Sequence, residues 1–207
     1  MDLTPLSVEG AWAVTPRLHG DDRGVFLEWF RGESFARAVG QPGLRLAQAN
    51  LSVSAAGVVR GIHFAQLAPS QAKYVTCTSG AVLDVVVDIR VGSPTFGQWD
   101  AVVLDDVERR AVYVSEGLGH AFMALEERST VVYLCSAGYA PDREHGINPL
   151  DPRIGITWPT TGRDGRALEP LLSPKDAQAP TLLQARDLGT LPTVDEVHAF
   201  REGLRSR

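Results

Sequence analysis

Six β-type runs follow one another through the middle of the chain with no helical pattern between them, and they constrain the fold more than any other feature. They cover residues 57–65, 72–80, 81–91, 98–106, 109–116 and 129–139. In the third run, Ala81, Leu83, Val85, Val87 and Ile89 alternate with polar residues that include Asp84, Asp88 and Arg90. This alternation is typical of a strand that is buried on one face only. Successive strands joined by turns predict an antiparallel sandwich or barrel.

Helical signals lie on either side of these runs. Residues 32–40 predict a short helix ending at Gly40, and residues 173–176 have the pattern of an N-cap followed by a first turn. Two further helices are predicted, one over 180–187 before Gly189 and one from Thr193 to Leu204. We therefore predict one all-β domain over residues 1–207, with a β core over about 10–160 and a helical C-terminal tail over about 173–206.

Composition and charge argue against several classes of protein. The formal net charge is −5, whereas general binders of nucleic acid or anionic membranes need a net basic face. The sequence has no run of about 18 apolar residues that could span a membrane. The N-terminal residues lack the apolar core of a signal peptide, and Cys77 and Cys135 form no disulfide framework. We therefore expect a cytoplasmic protein with no nucleic-acid or membrane partner.

Searches for common catalytic motifs find no match. None of the five histidines forms an HxH pair, because Ala65 follows two residues after His63. A site made from His63 and His120 alone would lack a carboxylate ligand, so we predict no metal. The chain also has no GxGxxG loop after a strand, no GxxxxGKS/T phosphate loop and no GxSxG nucleophile motif. Dinucleotide-binding, P-loop and serine-hydrolase enzymes are therefore not supported.

Three polar residues within β-type runs are candidates for chemistry. His63 is either a core histidine or a general base, a task that an ordinary pKa of about 6.5 suits. Lys73 is one of only two lysines among 20 basic residues, and alternation puts it on the apolar face of Val75 and Cys77. An ammonium on such a face needs an anionic partner. Tyr133 is either a core tyrosine or a pocket residue. The residues that alternation places on its face are Val131, Cys135 and Tyr139.

Short motifs along about three quarters of the chain occur in the order and at the spacing of one known family. They are Asp22-Arg23-Gly24 with Glu28, Gln48-Ala49-Asn50, Arg60-Gly61-Ile62-His63-Phe64, Ala72-Lys73-Tyr74-Val75, residues 84–90, 92–99 and 117–122, Tyr133, and Leu172-Ser173-Pro174-Lys175-Asp176. On these residues the chain resembles the dTDP-4-keto-6-deoxyhexose 3,5-epimerases of rhamnose and antibiotic-sugar biosynthesis.

The resemblance implies a cupin-type jelly roll, or double-stranded β-helix, that forms a homodimer and holds its substrate between two sheets. The implied substrate is a dTDP-4-keto-6-deoxyhexose. The implied chemistry removes a proton α to the C4 ketone, at C3 or C5, and returns a proton to the opposite face. No metal or other cofactor is needed.

The resemblance also implies residue roles. His63 matches the base and Asp176 the carboxylate that orients it, while Lys73 matches a cation beside the substrate O4 and Tyr133 the acid on the opposite face of the sugar. Among the substrate-binding positions, Arg23 and Arg60 match diphosphate contacts, Glu28, Gln48 and Asn50 match nucleotide contacts, His120, Glu144 and Lys175 match pocket residues, and Tyr139 matches a pocket wall.

Four positions depart from the pattern common in rhamnose enzymes. Ala49 and Leu51 replace an acid and a histidine, Ala72 replaces a glycine before the site lysine, and Thr76 replaces an arginine after it. These differences favour the antibiotic-sugar branch, whose members invert both centres or mainly C3. The alternatives left open are a C3-only epimerase, a cupin sugar 3,4-ketoisomerase, and an inactive cupin that binds a nucleotide sugar.

One geometric requirement follows from the proposed roles. Arg60 and His63 are three residues apart, so a regular strand would direct them to opposite faces. Both reach the substrate only if the strand is irregular between them, and Gly61 is the natural position. We therefore predict a bulge or turn at Gly61.

Overall fold

Two antiparallel sheets form the body of the protein in the computed structural model, which describes residues 1–40 and 44–205. The strands are β1 (Asp2–Pro5), β2 (Ala11–Thr15), β3 (Leu18–Asp21), β4 (Gly24–Leu27), β5 (Gln48–Ser54), β6 (Val59–Ala65), β7 (Lys73–Ser79), β8 (Ala81–Val87), β9 (Trp99–Asp105), β10 (Ala111–Val114), β11 (Gly119–Ala124), β12 (Ser129–Cys135) and β13 (Glu144–Gly146). The helices are α1 (Gly32–Val39), α2 (Pro174–Ala177), α3 (Leu182–Asp187) and α4 (Val194–Arg205), with a 3-10 turn at Pro141–Arg143.

The strands of the two large sheets interleave along the chain. The six-stranded sheet has the order β1-β2-β10-β7-β12-β5, and the five-stranded sheet has the order β13-β6-β11-β8-β9. Within the part of the chain that the structure describes, strands β3 and β4 pair with each other and with no other strand, as a separate hairpin. The prediction of antiparallel strands joined without helices is therefore confirmed for the central region. The runs predicted at 81–91 and 129–139 end earlier, at Val87 and Cys135, so Tyr139 lies outside the strand of Tyr133.

Apolar side chains fill the space between the two large sheets and cover both of their outer faces. Val75 and Val131 of one sheet meet Val86 and Phe122 of the other in the interior. The outer face of the five-stranded sheet is covered by the segment after β13, and the members of this cluster include Ile62, Val85, Ile154, Trp158, Leu182 and Leu191. The outer face of the six-stranded sheet packs against α1, where Phe35 lies edge-on to Tyr113 with ring centroids 4.6 Å apart.

The prediction that the strand at 81–91 is buried on one face only is wrong. Val85 and Val87 pack under the C-terminal segment, while Val82 and Val86 pack in the interior between the sheets. Asp84 is also buried, at the interior face. The error has a physical cause: the period-two pattern identifies residues that share a face but does not reveal whether that face meets water or a second layer.

The helix ends agree with the predicted capping signals. Helix α1 ends at Gly40, which has φ +65° and donates its N–H to the Ala36 carbonyl. The Ser173 side chain caps α2 by accepting from the Asp176 N–H at 3.1 Å. Thr193 and Glu196 exchange hydrogen bonds at the start of α4, which is a capping box. These caps fix the points at which the tail turns back onto the sheets.

Helix α3 offers a test of how strongly the C-terminal segment is held. Leu182→Ala truncates a side chain that is 1% exposed, and we expect the free energy of unfolding to fall by about 2–5 kcal/mol. Leu188→Ala, just after the same helix, truncates a side chain that is 70% exposed and should change it by less than about 0.5 kcal/mol. Urea unfolding followed by circular dichroism measures both. Equal effects of the two substitutions would contradict this packing.

Candidate active site

A bulge in β6 brings Arg60 and His63 to the same side of the five-stranded sheet. His63 pairs with His120 of β11, and Arg60 pairs with Phe122, so two residues of β6 face one of β11 between these pairs. Because the β11 partners are two apart, they share a face, and so do Arg60 and His63. Gly61 has φ +121°, and a Cβ there would lie 2.6 Å from the Ala121 Cβ. The predicted irregularity at Gly61 is confirmed.

His63 is held by a carboxylate from the C-terminal tail. Its Nε2 lies 2.7 Å from Oδ1 of Asp176, which is buried in the first turn of α2. The Ser173 hydroxyl donates to the other oxygen, Oδ2, at 2.8 Å. Because a carboxylate accepts the Nε2 proton, Nδ1 retains the lone pair that a base requires. The structure therefore brings together the predicted base and its orienting group.

Burial keeps the His63 imidazole neutral. Desolvation lowers its pKa below the ordinary value of 6.5, and the charges of Lys73 and His120 lower it further. The hydrogen bond and negative charge of Asp176 act in the opposite direction and limit this decrease. A neutral imidazole at physiological pH is the form that can accept a proton.

Lys73 lies at the start of β7, on the interior face predicted for it. It pairs with Cys135 of β12, and its neighbours Val75 and Cys77 belong to the interior core. Burial lowers the pKa of Lys73, whereas interactions with Cys135, Glu144 and Asp84 raise it. These groups therefore help to keep a buried ammonium protonated. The carboxylates of Glu144 and Asp84 therefore act on Lys73 through their charge, whereas no ion pair with Lys73 is formed within residues 1–40 and 44–205.

Tyr133 faces the interior from the six-stranded sheet, opposite the sheet that carries His63. It pairs with Asn50 of β5, and Asn50 in turn accepts from Gln48 Nε2 at 2.8 Å and donates to Cys135 Sγ at 3.6 Å. Burial raises the pKa of the Tyr133 hydroxyl, whereas Arg60 and Asn50 lower it. The phenol is therefore protonated at neutral pH and available as a proton donor.

A second histidine–carboxylate pair lies beside the first. His120 Nε2 is 2.8 Å from Oδ2 of Asp84, and both residues are buried. Glu144 of β13 pairs with Ala65, next to His63 along the edge of the same sheet. His120 and Glu144 were predicted pocket residues, whereas the sequence analysis did not identify Asp84. Asp84 lies on a strand whose two faces are both covered by apolar side chains, and an acid in such a strand needs a partner. Only the structure shows that the second face is covered.

Four predicted binding residues stand apart from this interior group. Arg23 is 89% exposed at the tip of the β3–β4 hairpin, where it forms an ion pair with Asp21, and Glu28 is exposed just after the hairpin. Tyr139 is exposed but is tied to the group through its N–H, which donates to Gln48 Oε1 at 2.8 Å. Lys175 is exposed on α2, beside Asp176. A single chain thus does not bring Arg23 and Glu28 to the interior residues.

The described residues, 1–40 and 44–205, also bear on metal binding and on membrane insertion. No three histidine, cysteine, aspartate or glutamate side chains among them are grouped in a way that could hold a metal ion. None of the helices that they form is both long and apolar enough to cross a membrane.

Comparison with known proteins adds independent information. The family described as dTDP-4-dehydrorhamnose 3,5-epimerase matches residues 5–184. The chain is 58% identical to the dTDP-4-dehydrorhamnose 3,5-epimerase of Mycolicibacterium smegmatis, over 99% of this chain and 98% of that relative. It is also 58% identical to the dTDP-4-dehydrorhamnose 3-epimerase of Streptomyces niveus, over 93% of this chain and 89% of that relative.

The fold is shared with solved members of the same group. The structure of the rmlC epimerase of Mycobacterium tuberculosis matches with a TM-score of 0.93 and 54% identity, covering 99% of this chain and 100% of that one. This match confirms the predicted all-β fold of cupin type. The sequence and structural matches agree over nearly the whole chain. The chain therefore belongs to the dTDP-4-dehydrorhamnose 3,5-epimerase family.

Proposed function

We propose that the protein is an isomerase that epimerises a dTDP-4-keto-6-deoxyhexose at C3, or at C3 and C5, in deoxysugar biosynthesis. One observation supports this proposal above the others. His63, which Asp176 of α2 contacts, belongs to one sheet and Tyr133 belongs to the other, so the proposed base and the proposed acid lie on opposite sides of the interior. Inversion of a carbon centre needs this arrangement, since the proton must leave one face and arrive at the other.

The proposed reaction moves protons without a change in oxidation state. Nδ1 of His63 removes the proton on the carbon next to the C4 ketone, and the electron pair of that C–H bond moves into an enolate on O4. Asp176 stabilises the imidazolium that forms. The ammonium of Lys73 stabilises the enolate charge, which develops only as the reaction proceeds. Tyr133 then donates its proton to the opposite face of the same carbon, and exchange with solvent restores both groups.

The remaining predicted residues supply binding in this proposal. Arg60, at the bulge, binds the diphosphate together with Arg23, because guanidinium groups match phosphate oxygens in a planar fork. Gln48, Asn50 and Glu28 contact the nucleotide, and His120, Glu144, Lys175 and Tyr139 line the sugar pocket.

Cys77 and Cys135 are free and buried, as expected in a reducing compartment, and we propose that the protein is cytoplasmic.

We further propose that the protein is a homodimer in which the β3–β4 hairpin packs against a second copy. An isolated two-stranded hairpin is marginally stable in water, yet this one exposes Val25 and Phe26. Strand β5 at the edge of the six-stranded sheet likewise exposes Leu51 and Val53 on its outer face. Packing the hairpin of one copy on β5 of the other would cover both patches. It would also carry Arg23 and Glu28 toward Gln48 and Asn50 of the second copy.

Isotope exchange tests the reaction. The protein is incubated with dTDP-4-keto-6-deoxyglucose in heavy water, and the C3 and C5 protons are followed by NMR. We expect deuterium at C3, or at both carbons, because the proton returned to the sugar comes from a group that exchanges with solvent. Exchange at C3 alone would identify a C3-only epimerase, the alternative that the match to the 3-epimerase of Streptomyces niveus supports. No exchange, under conditions in which a known epimerase is active, would rule out the proposal and favour an inactive binding protein.

Asp176→Asn tests the role of the carboxylate. We expect kcat to fall by roughly 10²–10⁴-fold, because the imidazolium loses its stabilising charge. The pKa of His63 is already lowered, so the acidic limb of kcat/KM lies below 6.5 in the native protein. Loss of the negative charge lowers this pKa further, and the limb moves to still lower pH.

The matched control for this prediction is Asp187→Asn. Asp187 is an exposed acid on α3 whose partner is Arg186. We expect native kcat and an unshifted pH profile. An Asp176→Asn variant with native kcat would show that the carboxylate does not act through His63.

Phe26→Asp tests the dimer. Phe26 is 68% exposed in one copy, so the substitution should not affect the folding of a monomer. In a dimer it would bury a charge in an apolar contact, and we expect dissociation into monomers and loss of activity. Light scattering coupled to gel filtration measures the mass. Val107→Asp, at another exposed apolar position, should leave a dimer intact. A native protein that is monomeric at micromolar concentration would exclude the proposed assembly.

A further inference from the structure

A cavity outside the candidate active site lies between helix α4 and the turn that joins β1 to β2. Its volume is about 350 Å³. The residues that line it are Glu9, Gly10, Trp12, Val39, Ser115, His198, Arg201, Glu202 and Arg205. None of them has a role in the proposed reaction. The cavity falls within the lower part of the size range of small-molecule sites, roughly 300–1,000 Å³.

Arg201 is a buried cation that forms no close ion pair within the described part of the chain, although Glu116 and Glu9 act on it at longer range. It is 7% exposed, its Nη2 donates to the Ser115 hydroxyl and to the Glu116 carbonyl, and its Nε has no hydrogen-bond partner. Among the ion pairs that residues 1–40 and 44–205 form, none includes Arg201. Burial lowers its pKa, as does the neighbouring Arg90, and the opposing interactions with Glu116, Tyr113 and Glu9 do not cancel this effect. A buried charge of this kind is costly unless it is paired.

The surrounding backbone leaves room for the guanidinium. Gly10 has φ +94°, and a Cβ there would lie 2.4 Å from the Ser115 oxygen and 2.6 Å from Arg201 Nη2. Any other residue at this turn would therefore displace either the hydroxyl or the guanidinium from its position. The position of the Arg201 guanidinium at the cavity wall therefore depends on a glycine at position 10.

The other charged groups around the cavity are of both signs. His198 and Arg205 lie three residues before and four residues after Arg201, so all three share one face of α4. Glu9 and Glu202 also line the cavity. The Glu9 carboxylate lies 4.0 Å from Nη1 of Arg90, which offsets part of its charge. Arg201 and Arg90 are thus two cations at the buried end of the cavity, and Glu9 and Glu116 oppose them in charge. The two apolar residues that line the cavity are Trp12 and Val39.

We propose that this cavity binds an oxyanion, the phosphate or carboxylate of a small organic molecule, with Arg201 as its main contact. A guanidinium matches the oxygens of either group in a planar fork, and a bound anion would supply the close ion pair that no carboxylate of the described residues provides. Arg205 and His198 contribute at the rim. The organic part of the ligand packs on Trp12 and Val39.

Calorimetric titration with three probes tests the proposal. Inorganic phosphate, phenyl phosphate and benzoate distinguish a bare anion, an organic phosphate and an organic carboxylate. We expect at least one organic probe to bind to the native protein and Arg201→Gln to weaken its binding at least tenfold. Arg186→Gln, at an exposed arginine of α3, should leave it unchanged. Binding that is undiminished in Arg201→Gln, or no binding of any probe to the native protein, would overturn the proposal.

Two further variants keep the outcome decisive. Phosphate probes could also enter the candidate active site, so Arg60→Gln is titrated in parallel, and we expect it to retain the binding that Arg201→Gln loses. The opposite result would assign the signal to the active site and overturn the proposal.

If circular dichroism finds that Arg201→Gln does not fold, Arg205→Gln tests the proposal instead, because Arg205 is exposed at the rim. We expect it to bind more weakly by a factor of at least three, and unchanged affinity would contradict the proposal.

Discussion

The space between the two sheets is the constraint on which the rest of the structure depends. Along most of its length this space is filled by apolar side chains such as Val75, Val86 and Val131. At one end the filling changes to ionisable groups, among them Lys73 and Asp84. Buried charges destabilise a fold unless other charges or hydrogen bonds compensate them. This requirement explains why the site contains paired groups rather than isolated ones, and why several strands contribute to it.

The pairing of each histidine with its own carboxylate also makes the two imidazoles of the site chemically distinct. His63 and His120 are direct neighbours across β6 and β11, yet each contacts its own carboxylate, Asp176 for the first and Asp84 for the second. Two adjacent imidazoles would otherwise compete for one anion and disfavour each other's protonation. Separate partners give each ring a fixed orientation. The bulge at Gly61 completes this arrangement by turning a second side chain of β6 into the same space.

Features of the fold that depend on a local residue pattern could be predicted from the sequence. The face of Lys73 follows from counting residues along a strand, and the ends of the helices follow from capping residues. The irregularity near Gly61 follows from the same counting once the family resemblance directs both Arg60 and His63 to the substrate. The partnership of His63 with Asp176 came only from family resemblance, because 113 residues separate them and no local rule joins distant positions. The burial of Asp84 and of Arg201 was missed for a related reason. Periodicity identifies the face on which a residue lies, whereas burial depends on which distant segment covers that face.

The location of Asp176 has a consequence for how the protein gains and loses activity. The segment that carries Asp176 runs over the outer face of the five-stranded sheet. There Leu171 exchanges hydrogen bonds with Gly57 and Val59, which precede His63 in the chain. Asn148 donates to the Ala177 carbonyl, just after Asp176. Strands β1 to β13 are therefore synthesised before the carboxylate. The same C-terminal segment covers the outer face of the five-stranded sheet with Leu182 and Leu191. The segment that completes the base thus also completes the core, so activity and the packing of this sheet would be gained and lost together.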